Sequence, residues 1–352
     1  MGFRNKLSTR QDHVLSPRLD RFDPFLTDVE LRNSYRYLVD GDWRRLEAFL
    51  EDSPKAWLFT SIITSELVGI ETVTFARWVE VMNSPRARSY EAGGLIRDAY
   101  EMREMAKEQA VIPSAAVVPA ARATHHDPSL ARHMEMVLND AQQLLVQAER
   151  LLYDVVRSRP GLSEPWVFLL ESGRGIGLRL EELRQRFDNA HSRDPFRPDA
   201  CRQYLEGLLQ KSGGSQEATF DFARWIEHEA PPDAPARMCL PVAHIEQGLF
   251  DYKGTNLAAY LNQEEVVAEL VTSLESFLRA TPSPAPTETL PALNAYALAV
   301  SADSPTTAHL VAEVFDRIGS RPTAYPWSLY KEGIPGVFGE IQSDQLRFSS
   351  RY

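Results

Sequence analysis

Apolar positions along this chain recur with helical spacing almost from end to end, and one segment does so without interruption. Met134, Ala141, Ala148 and Val155 come every seven residues, with Val137/Leu138, Leu144/Leu145 and Leu151/Leu152 between them. About three heptads of such a stripe predict one long amphipathic helix over 128–156. Its apolar face would pack inside the fold. It could also meet a second copy of the chain, because bundle helices and coiled coils share this pattern.

Downstream of Pro160 the pattern becomes a series of hairpins. Pro165-Trp166 opens an apolar segment that Gly173 to Gly177 closes, and Leu180, Leu183, Phe187 and Ala190 line one face of the next helix. Asp194-Pro195 ends that unit, and Ala200, Tyr204, Leu205 and Leu208 start another. Lys211-Ser212-Gly213-Gly214-Ser215 then turns the chain into a helix whose core face is Ala218, Phe222, Trp225 and Ile226. A break at Pro231–Pro235 leads to a helix over 236–247, and Asn262-x-x-Glu265 can cap one buried through Val266, Leu270, Leu274 and Phe277.

Upstream, Thr27-x-x-Glu30 reads as a capping box opening a helix. Asp40-Gly41-Asp42, Pro54, Ser84-Pro85 and Gly93-Gly94 then punctuate further helices. The expected organisation is a basic N-terminal segment (1–24), a helical region (25–109) and an irregular connection (110–127). The long helix with its hairpins follows (128–280), then a proline-rich linker (281–291), expected to be extended and exposed. A helical pair, with Ser304 as a cap and Pro305 at the first turn, and an irregular but aromatic tail complete the chain (292–352). No segment alternates convincingly enough for a strand.

Hydrophobic residues make up 43% of the 352, ample for one or two cores, and the net charge is -11. That balance argues against nucleic acid and anionic membranes as partners, whose phosphates call for Lys and Arg. No stretch is apolar enough to span a bilayer. The basic first 21 residues lack the apolar run of a signal peptide, and Lys6 stands where myristoylation requires Ser or Thr. Two cysteines, Cys201 and Cys239, lie within helical patterns and fit a reducing cytoplasm.

Chemical motifs are sparse. Gly173-Arg174-Gly175-Ile176-Gly177 faintly resembles a dinucleotide-binding loop, but it follows a helix where that loop follows a strand. Lys211, Ser212, Gly213, Gly214 and Ser215, together with Arg174, form a candidate anion site, since glycine-rich amides before a helix attract negative groups. An interhelical turn capped by Ser215 is the simpler reading. His125, His126 and His133 are candidate metal ligands, although their spacing matches no recognised site. Catalytic residues are not identifiable: Gly-x-Ser-x-Gly is absent, and neither cysteine has a neighbour that would activate it. Glu181-Glu182 and Glu264-Glu265 stand at helix starts, where they complement the dipole. No cofactor is implied.

The junction Ala190-x-x-x-Asp194-Pro195 with Ala200 and Tyr204 resembles the boundary between tetratricopeptide repeats, whose helix pairs recur about every 34 residues. The wider run from Trp166 through Gly213-Gly214-Ser215 to Phe222-Ala223, with Trp78 and Ser84-Pro85-x-Ala87 upstream, is similar to an uncharacterised, largely actinobacterial family of helical proteins. The paired Gly and Tyr of the first repeat helix are missing. These resemblances imply an all-α fold of antiparallel helical hairpins in a tetratricopeptide-like solenoid with one long central helix. The expected function is a non-catalytic cytoplasmic scaffold or adaptor that binds a partner protein, its negative charge favouring a basic segment, with self-association through 128–156 as a further option. The alternative is a helical enzyme or small-molecule sensor with a site between the N-terminal helical region and the hairpins.

Overall fold

The computed structural model describes residues 22–65, 69–111, 128–252, 256–301, 307–330, 338–339 and 341–342. These residues are helical, without a β-strand among them. In chain order the helices are α1 (Val29–Asp40), α2 (Trp43–Asp52), α3 (Ala56–Ile63), α4 (Thr72–Met82), α5 (Pro85–Val111), α6 (Pro128–Ser158), α7 (Glu164–Ile176) and α8 (Leu180–His191). They continue with α9 (Pro198–Leu208), α10 (Gln216–Glu229), α11 (Cys239–Asp251), α12 (Leu257–Leu261), α13 (Glu264–Ala280), α14 (Leu290–Val300), α15 (Ala308–Ile318) and the short α16 (Ala324–Trp327). No helix among the described residues is long and apolar enough to cross a membrane.

The chain forms two compact units, one from residues 63–193 and one from 1–62 with 194–352. The second unit's later segment thus begins at Asp194, just after α8.

In the 63–193 unit, α6 delivers the predicted stripe: Ala141, Leu145, Ala148, Leu152 and Val155 are all buried. It packs along α5, and α7 lies against both before turning back into α8. Each helix is therefore stapled mainly to its neighbour in sequence, and each fully buried Leu contributes about 2 kcal/mol of transfer free energy. The Gly93-Gly94 pair does not break α5. It lies inside the helix because the packing there needs bare backbone. A Cβ on Gly93 would come within 2.7 Å of the Phe168 ring on α7, and one on Gly94 within 2.8 Å of Thr72 on α4. Helix α7 likewise runs past Gly173 to Ile176, ending where Gly177 turns left-handed (φ 77°). Arg186 of α8 ties three helices together. It grips Glu149 of α6 at 2.6 and 3.2 Å and donates to the Leu169 carbonyl of α7, while Ser172 donates to the same carboxylate at 2.9 Å.

The other unit is organised differently. Helix α14 is apolar on all sides and buried along its length, and it packs against α11, α13, α15, α16 and the 3₁₀ turn Pro235–Met238. Its one strongly polar residue, Asn294, is fully buried and fully used. It donates to the Leu290 carbonyl at 2.8 Å and accepts from the Trp327 indole at 2.6 Å and the Thr323 amide at 3.3 Å. Three caps and connections differ from expectation. Asp28, rather than Thr27, caps α1, accepting from the Glu30 and Leu31 amides. Gln263 precedes α13 with no side-chain cap, so Asn262 does not act as one. The proline-rich stretch is not an exposed linker: Thr281, Ala285, Thr287, Thr289 and Leu290 are buried. Thr287 holds it down by donating to Asp28 at 2.7 Å, a carboxylate that also accepts from Lys55 at 2.8 Å. Ser304 and Pro305 lie outside the described residues. The tail aromatics Trp327, Tyr330 and Phe338 are buried in this unit.

Candidate functional site

Lys211 follows α9 on a 3₁₀ turn, and Gly213 adopts a left-handed conformation (φ 90°). The amides of Ser212 and Gly214 donate to the Leu209 carbonyl and that of Gly213 to Gln210, at 2.8–3.1 Å. A Cβ on Gly214 would stand 2.0 Å from the Leu208 carbonyl oxygen, so only glycine lets the chain turn this tightly. Ser215 caps α10 by accepting from the Ala218 amide at 3.1 Å. The Lys211 ammonium pairs with Glu246 of α11 at 2.6 Å and with Glu206 at 3.4 Å. Glu206 also accepts from Arg202 at 2.5 Å, and Arg202 lies over the Tyr325 ring at 4.3 Å. The Lys211 ammonium and three of the loop's amides are thus committed to the protein's own carboxylates and carbonyls. Arg174 is in the other unit, on the last turn of α7.

His133 lies exposed near the start of α6, while His125 and His126 fall outside the described residues. Among the described residues no three His, Cys, Asp or Glu side chains are grouped to hold a metal ion. Both cysteines are buried thiols. Burial pushes Cys239 up to about 12 and Cys201 well above its ordinary value, which keeps both protonated.

His244, which no sequence motif singles out, joins a buried polar cluster. His244 on α11 meets Glu269 of α13 through Nε2 and the Tyr260 hydroxyl of α12 through Nδ1, both at 3.1 Å. Arg224 of α10 clamps the same carboxylate at 2.7 and 3.0 Å. Hydrogen bonds from His244 and then Arg224 pull the Glu269 carboxyl down to about 2. Burial raises the Tyr260 phenol. A carboxylate, an imidazole and a hydroxyl in series could relay a proton. Together with Arg224 they join four helices; His244 and Tyr260 are buried, while Glu269 is half-buried and Arg224 exposed.

Three exposed apolar side chains lie on the parts of α5 and α6 nearest residues 112–127, which are outside the described residues. Met105, Met136 and Leu138 are 52%, 56% and 43% exposed, and Met102, Met134 and Val137 are half-buried beside them in sequence. Arg103 donates to Gln142 at 2.9 Å across the hairpin. That register brings Met102 and Met105 within about two helical turns of Met136 and Leu138 along the hairpin. Four of the chain's seven methionines thus lie on the parts of α5 and α6 nearest residues 112–127. The signal was present in the sequence as Met102-x-x-Met105 and Met134-x-Met136 flanking one connection.

No protein-family model, curated protein or solved structure matches this chain.

Proposed function

We propose that the chain is a non-catalytic interaction protein, an adaptor of tetratricopeptide-like type, that binds a partner through the methionine-rich end of the α5–α6 hairpin. The exposure of Met105, Met136 and Leu138 carries this reading. Soluble domains seldom leave large apolar side chains gathered on a surface without a use for them. Methionine suits such a use, because its unbranched, polarizable side chain adapts to differing partner surfaces. An apolar helix face laid along the hairpin end is the matching partner chemistry. Glu135 and Asp140, exposed on the same stretch of α6, would favour a basic flank on that partner. The stacking of sequence neighbours in the 63–193 unit is compatible with the helical-hairpin resemblance.

Support for an enzyme or small-molecule sensor built on His125, His126, Arg174 and Lys211 is weaker, because Lys211 is already paired with two carboxylates. The test is affinity purification from the native host with wild-type protein and with a Met136→Glu/Leu138→Glu variant, at low and high salt. The expected result is a partner retained by the wild type, weakened by salt and lost from the variant. A partner retained equally by the variant would contradict the assignment. Loss of self-association alone, read by sedimentation, would assign the surface to a second copy instead.

A further inference from the structure

In the unit that contains α1 and α15, an open recess of about 570 Å³ lies where α15 ends. Arg317, Arg321, Thr27, Ser283, Ser320 and Asp316 are among its lining residues. The two arginines have structural tasks. Arg317 donates to the Thr281 carbonyl at 2.7 Å and to Glu313 at 2.5 Å. Arg321 donates to the carbonyls of Ile318, Ala285 and Arg317 at 3.2, 3.3 and 2.9 Å. A guanidinium carries five N–H donors, so part of each donor set is left uncommitted. Arg321 is also half-buried without an ion-pair partner among the described residues, and burial lowers its pKa despite the attraction of Asp28. A desolvated cation held only by carbonyls is electrostatically under-compensated.

We propose that this recess binds the phosphate group of a small phosphate monoester, held between Arg317 and Arg321 with the hydroxyls of Ser283 and Ser320 as further donors. Two guanidinium groups suit a phosphate, whose oxygens accept forked N–H pairs, and two serine hydroxyls add donors without charge. The volume falls in the range of small-molecule sites and leaves room for the ester's organic part beside the phosphate. Asp316 is the one carboxylate among the lining residues, and its charge opposes the anion. That opposition gives the proposal a test that can move in both directions.

The full chain is titrated with inorganic phosphate, glycerol 3-phosphate and citrate, and binding is read by amide chemical shifts and calorimetry. Glycerol 3-phosphate should bind saturably and about tenfold more tightly than inorganic phosphate. Citrate should bind at least about tenfold more weakly than the ester. Ser320→Glu, at an exposed position, should weaken the ester at least about tenfold, whereas Asp316→Asn should tighten it several-fold. Both variants should keep the wild-type melting temperature, which separates loss of binding from loss of fold. Free phosphate binding as well as the ester would restrict the site to the bare anion and overturn the ester claim. No saturation by any probe, or affinities indifferent to both substitutions, would overturn the site.

Discussion

Helices α6 and α14 are both rich in apolar residues, but they hold their units together in different ways. Helix α6 keeps its apolar side chains on one stripe and offers a polar face to water, and it lies side by side with its sequence neighbours α5 and α7 in the 63–193 unit. Helix α14 has no polar face, and the other unit closes around it with five elements that come from both sides of it in sequence. A striped helix tolerates change along its outer face and can carry a binding surface there. An enclosed helix has no outer face, and its Asn294 side chain becomes a structural joint.

The sharpest way to break this comparison is at that joint. Asn294→Leu fills similar volume but leaves the Trp327 indole N–H and the Thr323 amide unpaired in the interior. A loss of about 3 kcal/mol is expected in urea unfolding followed by circular dichroism. The counterpart in the hairpin unit is Gly93→Ala, whose methyl group meets the Phe168 ring. It should cost about 1–3 kcal/mol through overpacking, with the open Gly161→Ala near neutral as control. A neutral Gly93→Ala would mean that α5 and α7 do not approach as closely as described.

A smaller effect is expected from acid. The Glu269 carboxyl is held near 2 by His244 and Arg224, below the value of about 4.3 for an unfolded glutamate. Its contribution is complete above about pH 4.3 and disappears as pH falls through about 2. Glu269→Gln should therefore melt earlier than wild type at neutral pH, with the gap narrowing over that acid window. A gap independent of pH would place the residue's role in packing. The smallest effect on stability belongs to Met136→Glu/Leu138→Glu, expected within about 0.5 kcal/mol of wild type in the same urea assay because both side chains are exposed.

The α6 stripe was legible in the sequence because periodicity is a local property, and so was the cap at Ser215. Gly93-Gly94 misled because glycine marks a break or a close contact with equal economy, and only the position of Phe168 decides between them. The segment 281–291 misled in the same way. Its prolines suggest solvent, but Thr287 reaches Asp28, a residue more than 250 positions earlier. Lys211 was recognisable as part of a turn, while its neutralisation by Glu246 depends on how α11 packs beside α9. The methionines were visible as pairs, but their placement at the same level of α5 and α6 required the register set by Arg103 and Gln142.

The central claim is that the methionine-rich hairpin end is the contact surface. The most direct measurement places a photo-crosslinking amino acid at Met136 in the native host, with Arg150, exposed further along α6, as the control position. Mass spectrometry then reads the attached peptides. The account predicts a discrete partner segment with an apolar helical face, attached at position 136 and not at 150. Equal labelling at the two positions, or attachment at neither, would contradict it.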